Sequence, residues 1–430
     1  MDSTPYAPGF KTSPWWWEAA EPSRRDATLP DQAEVAIVGG GYAGLSAALT
    51  LARLGRKPVV LDAERIGWGA SSRNGGMVSG GLKVAKGANA GDVVAAAAAS
   101  LPFIEELIAR EQIDCDYVRC GRFTGAWTPA HYQAQARRVE AMAAATGMAA
   151  EMLPPARQRE AIGSDFYHGG MTLAATGSLH PGKYARGLAS AAAAAGVRLV
   201  DSVRVQGIRR QGSGFRLATD RGELAADAVL VATNGYSLDP RGTASPWLAR
   251  RMVPLASMII ATEEIDPALM DRLFPGRRML GESRRVLNYF RPSPDGKHVL
   301  WGGRASFGHA TPEQAAPVLY QRMTEVFPEL KGTRITHCWL GNVAFTFDHL
   351  PHIGVQDGIH YAAGCQGSGV AMASWLGHQV GMKIAGAANQ PFALDGLPFP
   401  TMPFYSGNPW FMPVVGNWYR LLDAWERARA

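Results

Sequence analysis

Val38-Gly39-Gly40-Gly41-Tyr42-Ala43-Gly44 contains the pattern G-x-G-x-x-G between two apolar runs of different period. Residues 34–38, just before the glycines, form a short apolar run that predicts a buried parallel strand. Residues 42–54 carry small and apolar side chains at helical spacing and end at Gly55, a residue typical of helix termination. Because residues 57–61 predict a second strand, this part of the chain is expected to form one β-α-β unit.

The three glycines of this pattern are suited to a turn that binds a diphosphate. Gly39 permits the tight turn, Gly41 lets the backbone approach the ligand, and Gly44 lets the helix pack closely on the strand. Tyr42 and Ala43 follow at the positive end of the helix dipole, where free backbone N–H groups can bind the diphosphate.

The residue that ends the second strand indicates which part of a dinucleotide lies nearby. Asp62 follows the pattern by about 20 residues, where a carboxylate accepts hydrogen bonds from ribose hydroxyls, and Ala63 comes next. A 2′-phosphate would be repelled by this carboxylate, so an NADP-like ligand is disfavoured. The alternative is a glycine-rich turn that binds nothing.

A second glycine-rich segment over 67–76 follows this carboxylate directly. Small residues, hydroxyls and one arginine suit a loop that wraps a second phosphate and the edge of a flavin ring, whereas an ordinary flexible loop is the alternative. The residues expected to contact the cofactor here are Gly69, Ala70, Ser71, Ser72, Arg73, Asn74, Gly75 and Gly76.

A third glycine segment returns more than 300 residues after the first. It follows a strand predicted at 360–362 and precedes a helix predicted at 370–385, so the start of that helix could face the pyrimidine end of a flavin. Cys365 within it is interpreted as a small packing residue rather than a redox centre. The cofactor contacts expected from this and other late segments are Val203, Thr233, Asn234, Gly364, Gly367, Ser368, Gly369 and Val370.

Length and composition limit the classes of protein to consider. The 430 residues are too many for one compact core, and the formal net charge of +6 comes from dispersed basic residues without the runs typical of a nucleic-acid face. The four cysteines show neither a disulfide framework nor metal-binding C-x-x-C spacing, so a reducing cytoplasm is expected. The first residues lack the pattern of a secretory signal, and the longest apolar runs are too short to span a membrane.

The rest of the chain predicts an interleaved, two-domain α/β architecture. Residues 87–145 read as mostly helical with a strand near 121–127, and 178–196 read as a helix before a strand at 197–200. Further short strands are predicted at 203–208, 215–218 and 228–232, and an antiparallel sheet from 257–262, 286–290 and 299–301. We therefore expect a discontinuous Rossmann-type domain (31–86, 165–245 and 335–395), an inserted substrate domain with a mixed or antiparallel sheet (87–164 and 246–334), an irregular aromatic arm (1–30) and an aromatic C-terminal segment (396–430).

With these three segments the chain resembles the D-amino-acid oxidase/sarcosine oxidase superfamily of flavoproteins, and within it the gamma-glutamylputrescine oxidase-type enzymes. The resemblance covers nearly the whole chain. Its motifs are the opening over 39–55, the loop from Trp68 to Gly76, the strand end at 232–236, Trp339-Leu340-Gly341-Asn342 leading to Asp348 and Pro351, and the return at Gly364–Gly369.

The resemblance implies FAD as the cofactor, held by the residues named above. Two departures from the family matter. Some relatives attach the flavin covalently to a cysteine just ahead of the segment matching Thr346–Asp348, but residues 341–348 contain none, so dissociable FAD is expected. Some relatives also place a lysine near the flavin to help oxygen react, whereas the comparable strand, Leu300-Trp301-Gly302-Gly303-Arg304, has none. Oxygen and a quinone therefore both remain open as electron acceptors.

The chemistry implied is oxidation of a carbon–nitrogen bond in a small amine or amino acid. A single G-x-G-x-x-G at a strand–helix junction argues against enzymes that also need a nicotinamide site. Hydride from the carbon next to nitrogen would reduce the flavin at N5, and water would hydrolyse the imine. An oxidase that releases hydrogen peroxide, a membrane-peripheral dehydrogenase and a non-catalytic flavin-binding protein are the three alternatives.

Candidates for substrate contacts come from the inserted domain and strand ends. Arg304 and Arg291 could hold a substrate carboxylate, with ordinary ion pairs as the alternative. Trp301 and Tyr289 could line the flavin or substrate site, or could lie in the core. His180, before Pro181, could face the site or be structural.

Two further features are weaker signals. His349 and His352 flank Pro351 without a third ligand, which makes a poor metal site. The segment from Pro409 to Trp425 mixes aromatics with arginines, and we expect it to pack on the catalytic body or on a second subunit, with a membrane surface as the alternative.

Overall fold

The computed structural model describes residues 5–25, 28–80, 90–146, 149–239, 241–308 and 310–429. Residues 87–89, where a helical segment was predicted to begin, lie outside this range.

The described residues form nineteen strands in three sheets. The strands are β1 (Tyr6–Lys11), β2 (Gln32–Val38), β3 (Pro58–Leu61), β4 (Met77–Val78), β5 (Arg122–Gly125), β6 (Ala150–Leu153), β7 (Gly170–Leu173), β8 (Gly177–Ser178), β9 (Arg198–Val200), β10 (Val205–Gln211), β11 (Gly214–Thr219), β12 (Gly222–Val231), β13 (Val253–Thr262), β14 (Met279–Glu282), β15 (Tyr289–Pro292), β16 (Val299–Gly303), β17 (Ile335–Phe345), β18 (His352–Gln356) and β19 (Ile359–Ala363).

Helices cover the sheets and connect their strands. They are α1 (Trp17–Ala20), α2 (Tyr42–Arg53), α3 (Ala90–Ala98), α4 (Ser100–Arg110), α5 (Pro129–Thr146), α6 (Pro181–Ala194), α7 (Pro246–Ala249), α8 (Pro267–Leu273), α9 (Pro312–Val326), α10 (Gly369–Ile384) and α11 (Met412–Ala428). Short 3₁₀ turns lie at Ala70–Ser72, Pro155–Glu160, Asn234–Tyr236, Pro275–Arg277 and Pro328–Leu330.

The first sheet is the predicted Rossmann-type sheet. Its parallel centre has the strand order β12-β2-β3-β9. Strand β19 pairs in parallel with the end of β12, and β18 pairs antiparallel with β19. On the same side, β11 and then β10 extend the sheet from β12 in antiparallel pairing. Along β2, Val35 and Ile37 enter the core beneath α2, whereas Ala36 and Val38 enter a second core on the other face. Both faces are therefore buried, as a continuous apolar strand requires.

The second sheet contains nine strands in the order β1-β17-β13-β16-β15-β14-β5-β7-β6. Antiparallel pairing of β13 with β16 and of β16 with β15 confirms the antiparallel sheet predicted from residues 257–301. Phe290 and Trp301 lie side by side in this pairing and enter a core that includes Leu319 and Met323 of α9. The mixed α/β architecture, with a discontinuous Rossmann-type sheet and a second mixed sheet, agrees with the predicted fold class.

Two expectations about the chain's organisation are wrong in detail. The N-terminal arm is not irregular throughout, because β1 pairs in parallel with β17 and α1 follows it. Strands β7 and β17 belong to the second sheet, although both were assigned to the cofactor domain. The predicted boundaries misplaced them because the choice of pairing partner, β5 and β6 for β7 and β13 for β17, leaves no local mark in the sequence.

The C-terminal segment contains one long helix that packs on the second sheet. Met412, Gly416 and Asp423 of α11 are buried, and the Phe307 ring lies directly against Gly416. The inner face of α11 therefore packs on the catalytic body, the first of the two partners expected for this segment. Within the described ranges, no helix combines the length and apolar character needed to cross a membrane.

Candidate functional site

A cavity of about 290 Å³ lies at the carboxyl ends of the parallel strands. This is where ligands bind in open α/β sheets, because helix N-termini and strand ends meet there. Predicted contacts that line it are Gly39, Gly41, Tyr42, Ala43, Asp62, Ala63, Gly69, Ala70, Ser71, Val203, Thr233 and Asn234. All three predicted regions, the glycine turn, the loop after β3 and the C-terminal return, contribute to the walls.

The glycine turn brings the start of α2 to the cavity. Gly39 has a φ of 110°, which favours glycine, and Gly41 precedes the helix as its N-cap. A methyl group on Gly44 would lie 1.9 Å from the Gly39 carbonyl oxygen, so only glycine permits this close packing, and Gly44 itself does not line the cavity. The N–H of Tyr42 donates to Ser71 Oγ at 3.0 Å, which joins the helix start to the second glycine loop.

Asp62 lines the cavity and also stabilises the glycine turn through hydrogen bonds. Its two oxygens accept from the N–H groups of Gly40 at 2.7 Å and Glu64 at 2.9 Å. Burial raises the pKa of this carboxyl to about 6, because the charged form loses solvation. Unused lone pairs on both oxygens remain for ribose hydroxyls.

The loop after β3 is held by its own polar groups. Asn74 Nδ2 donates to the carbonyls of Ala70 and Ser71, and Asn74 Oδ1 accepts from the Gly76 N–H at 2.8 Å. The Arg73 guanidinium lies between the rings of Trp17 and Trp68, with its central carbon 4.5 and 4.1 Å from their centroids. The expected cofactor contacts Ser72, Arg73, Asn74, Gly75 and Gly76 do not line the cavity but shape the loop that does.

The N-terminal arm fixes the same loop from outside. Trp16 Nε1 donates to the Asn74 carbonyl at 2.9 Å, and Trp17 Nε1 donates to Ser72 Oγ at 3.0 Å. Neither tryptophan was predicted to support the site. Their only signal in the sequence is the run Trp15-Trp16-Trp17, which does not indicate what it contacts.

The C-terminal return forms the opposite wall. Asn234 Oδ1 accepts from the Gly364 N–H at 3.0 Å, and its Nδ2 donates to Cys365 Sγ at 3.1 Å. Cys365 lines the cavity, and burial raises the pKa of its thiol, which disfavours the reactive thiolate. This agrees with the interpretation of Cys365 as a packing residue.

Other residues predicted from this return do not line the cavity. Gly364, Gly367 and Ser368 belong to the turn before α10, where Gly364 and Gly367 have positive φ values, and Gly369 is the first residue of α10. Val370 is buried in the core between the first sheet and its helices, so its assignment as a cofactor contact is corrected.

Several lining residues were missed. Arg204 donates to Asp239 at 2.5 Å and to Glu64 at 3.5 Å, and Arg241 contacts both of these carboxylates. This charged network borders the end of the cavity near Val203. Tyr236 was also missed, although it belongs to a motif over 232–236 that the sequence already singled out.

The second sheet presents a polar cluster to the glycine loop. The Tyr289 ring lies against Gly75, where an added methyl group would be 2.9 Å from it, and the Tyr289 hydroxyl contacts Ser257 Oγ at 2.9 Å. Arg304 follows β16 and interacts electrostatically with Tyr289, while burial lowers the pKa of its guanidinium. Its central carbon lies 5.2 Å from the Phe345 ring and 5.8 Å from the Phe307 ring.

Three other candidates, Trp301, Arg291 and His180, have structural contacts instead. Trp301 is 0% exposed and stacks on Phe290 at 4.0 Å, so it lies in the core on the other face of the sheet. Arg291 is buried and donates to the carbonyls of Pro292 and Leu179, which leaves it a structural role. Trp301 and Arg291 are therefore corrected as site residues.

His180 is likewise corrected as a site residue. Its Nδ1 accepts from the Lys183 N–H at 3.1 Å and so caps α6. The ring packs on Trp16, with centroids 4.8 Å apart, and burial lowers its pKa to about 4. A neutral histidine in this position stabilises a helix start.

His352, next to Pro351, also has structural contacts. His352 pairs with Asp348 at 3.0 Å and stacks on Phe399, with ring centroids 3.9 Å apart.

Cys338 is buried in the core beneath α9, so its sulfur does not reach the cavity.

The residues around the cavity fit FAD. The glycine turn leaves no room for side chains where a diphosphate approaches, since a methyl group on Gly41 would lie 2.9 Å from Ser71 Oγ. A buried carboxylate lies on one side of this turn, and the loop after β3 lies on the other. In FAD, the ribose would need the carboxylate, and the flavin half of the molecule would need the loop.

Comparisons with known proteins agree with this assignment. Residues 34–381 match the protein family described as "DAO: FAD dependent oxidoreductase". The chain is 32% identical to the gamma-glutamylputrescine oxidoreductase of Escherichia coli (strain K12), over 91% of this chain and 92% of that protein. It is 30% identical to the "Probable oxidoreductase OrdL" of Rhizobium meliloti (strain 1021), over 98% and 99% of the two chains. The crystal structure of glycine oxidase from Geobacillus kaustophilus has the same fold, with a TM-score of 0.72 and 23% identity over 87% of this chain and 99% of that chain.

Proposed function

Because the chain belongs to the DAO family of FAD-dependent oxidoreductases, we propose that it oxidises the carbon–nitrogen bond of a small amine or amino acid that carries a carboxylate. The imine product is hydrolysed by water, and oxygen accepts the electrons with release of hydrogen peroxide. The names of two similar proteins, gamma-glutamylputrescine oxidoreductase and glycine oxidase, support an amine or amino-acid substrate.

The observation that carries the proposal is the unpaired guanidinium of Arg304. Among the described residues no carboxylate pairs with it and no acceptor bonds its nitrogens. The rings of Phe307 and Phe345 lie near its central carbon, and it interacts electrostatically with Tyr289. A partly buried cation without an anion raises the free energy of the folded protein, because the cation loses solvation. A substrate carboxylate would pair with the Arg304 guanidinium through two parallel hydrogen bonds. Tyr289 and Ser257 supply neighbouring hydroxyls.

The same cluster favours the reactive form of an amine. A substrate nitrogen must be neutral before the adjacent carbon can lose a hydride. The rings of Tyr289, Phe307 and Phe345 reduce solvation of an ammonium group, and the nearby positive charge of Arg304 repels it. No further acid or base side chain is required.

FAD, when bound, supplies the acceptor for the hydride and a route for electrons to the final oxidant. The chain's own residues would position it. The turn at Gly39–Gly44 would hold the diphosphate and Asp62 would hold the ribose. Tyr289 packs against Gly75, in the same loop as Gly69, Ala70 and Ser71, which line the cavity.

A quinone is the second candidate for the electron acceptor, because β16 and the following Arg304 offer no lysine to assist oxygen. Seven large apolar side chains between residues 404 and 425 are exposed, which would suit a dehydrogenase that works at a membrane.

Turnover of an amine panel tests the proposal. The purified yellow protein is supplied with amines and amino acids with and without a carboxylate, while oxygen uptake, peroxide and carbonyl product are measured. We expect peroxide and carbonyl in equal amounts from a carboxylate-bearing amine. Dye reduction without oxygen uptake would select the quinone-linked dehydrogenase, and no turnover with any amine would contradict the proposed function.

A further inference from the structure

The outer surface of α11 is unusually apolar. Of the thirteen large hydrophobic side chains that are exposed in the described chain, seven lie between residues 404 and 425. Four of them, Val414, Trp418, Leu421 and Trp425, are spaced by four, three and four residues and so share one face of the helix. We call these four the outer stripe; each is 52% to 74% exposed.

The opposite face of α11 already has its partners. Arg427 donates to the carbonyls of Trp127 and Phe166, and Arg420 donates to the Ala305 carbonyl at 2.7 Å. Asp423 accepts from the N–H groups of Arg285 and Val286. The helix is therefore fixed on the second sheet by its inner face. The outer stripe remains exposed in this arrangement of the chain.

The charges of α11 leave the outer stripe free of negative charge. Asp423 is buried, and Glu426 forms a two-pronged ion pair with Arg285 at 2.7 Å. At the C-terminal end Arg429 is exposed and lies over the Trp425 ring, with its central carbon 4.0 Å from the centroid. The outward surface thus combines apolar side chains with a positive charge, in a chain whose formal net charge is +6.

The exposed tryptophans near the stripe indicate what covers it. Trp410, Trp418 and Trp425 are exposed, and no described residue accepts a hydrogen bond from their indole N–H groups. Tryptophan is enriched at membrane–water interfaces, where its ring contacts acyl chains while its N–H bonds to headgroups or water. A dry seam between two protein helices would instead need an acceptor for each N–H.

We propose that α11 lies flat on the surface of a lipid bilayer with anionic headgroups and docks the protein there through the outer stripe. The helix is about 25 Å long at 1.5 Å per residue, and an interfacial helix of this kind buries its apolar face at the headgroup boundary without crossing the membrane. Arg429 and the net positive charge of the protein are complementary to anionic lipids. This inference goes beyond the proposed reaction and does not depend on it.

Vesicle flotation tests the inference with the FAD-loaded, full-length protein. The vesicles are pure phosphatidylcholine or equal parts of phosphatidylcholine and phosphatidylglycerol. We expect the protein to float with the anionic vesicles, and the double variant Trp418→Asp/Leu421→Asp to lower the bound fraction at least about tenfold. Val118→Asp is the matched control, because Val118 is an apolar side chain that is 57% exposed outside α11.

Each outcome decides for or against the inference. Retained flavin absorbance and circular dichroism in the double variant would show that it is folded, so its loss of binding would support docking through α11. Absence of wild-type binding, or equal binding by wild type and double variant, would overturn the inference. Self-association in solution that Trp418→Asp abolishes, with no binding to vesicles, would also overturn it and assign the stripe to a second copy of the chain.

Discussion

Gly44 lies so close to Gly39 that a methyl group on its α-carbon would be 1.9 Å from the Gly39 carbonyl oxygen. This contact sets the distance between α2 and the turn after β2, and so brings the start of α2 to the cavity. Because the Gly39 carbonyl belongs to the backbone, it cannot rotate away as a side chain could. A residue larger than glycine at position 44 must therefore displace the turn after β2.

Gly44→Ala should therefore weaken FAD binding and lower the free energy of unfolding by about 2 kcal/mol or more. Gly91→Ala is the matched control, because Gly91 also lies in a helix but an added methyl group there meets nothing within 4 Å. FAD titration and chemical denaturation of both variants measure the effect. Unchanged FAD affinity in Gly44→Ala would show that the helix start does not bind the diphosphate.

The ionisation of Asp62 should make FAD binding depend on pH. Burial raises the pKa of this carboxyl from 3.8 to about 6, so the fold favours its protonated form. The corresponding stabilisation of the apoprotein is present below about pH 4 and is lost as pH rises through about 6. Ribose hydroxyls donate to the ionised form, so the FAD dissociation constant should rise as pH falls below about 6, by at most about tenfold per pH unit.

Titrations of the apoprotein with FAD across this pH range check the dependence, and Asp62→Asn should flatten it because no charge is left to titrate. A wild-type profile that is flat through the same range would refute a role for the Asp62 charge in binding.

Loss of Arg304 should act on substrate binding more than on chemistry. Hydrogen bonds between charged groups contribute about 1.5–3 kcal/mol, so Arg304→Met should raise KM for a carboxylate-bearing amine by about 10- to 150-fold, with a smaller change in kcat. Arg209→Met, at an exposed position on β10, is the control. Equal KM values for amines with and without a carboxylate in the wild type would argue against this contact.

The N-terminal arm should influence FAD retention although it does not line the cavity. Trp17→Leu removes the hydrogen bond to Ser72 and one of the two rings that enclose Arg73. We expect faster release of FAD, measured by flavin fluorescence after dilution. Trp410→Leu, at an exposed site, should leave this rate unchanged. If the two variants release FAD at the same rate, the arm does not support the loop.

The parts of the site that could be predicted are those written in consecutive residues. The turn at Gly39–Gly44 and the carboxylate Asp62 follow from a local pattern whose geometry allows few alternatives. The network of Arg204, Asp239 and Arg241 leaves no such pattern, because its members meet only after β10 and β12 have joined the first sheet.

The errors among the candidates have equally specific causes. Tyr289 and Trp301 both lie on strands with aromatic residues, but pairing in the sheet puts Trp301 beside Phe290, on the face opposite Tyr289. The sequence carries the alternation but does not say which face meets the cofactor. His180 was ambiguous because a histidine before a proline suits a helix start as well as a site.

Anaerobic reduction of the bound flavin is the sharpest test of amine oxidation by this protein. The FAD-loaded protein is mixed with carboxylate-bearing amines in the absence of oxygen, and the visible flavin band is followed. We expect at least one such amine to bleach the band, and we expect Arg304→Met to need a much higher amine concentration for the same bleaching. A yellow protein whose band no amine bleaches, but which a reduced nicotinamide does bleach, would contradict it.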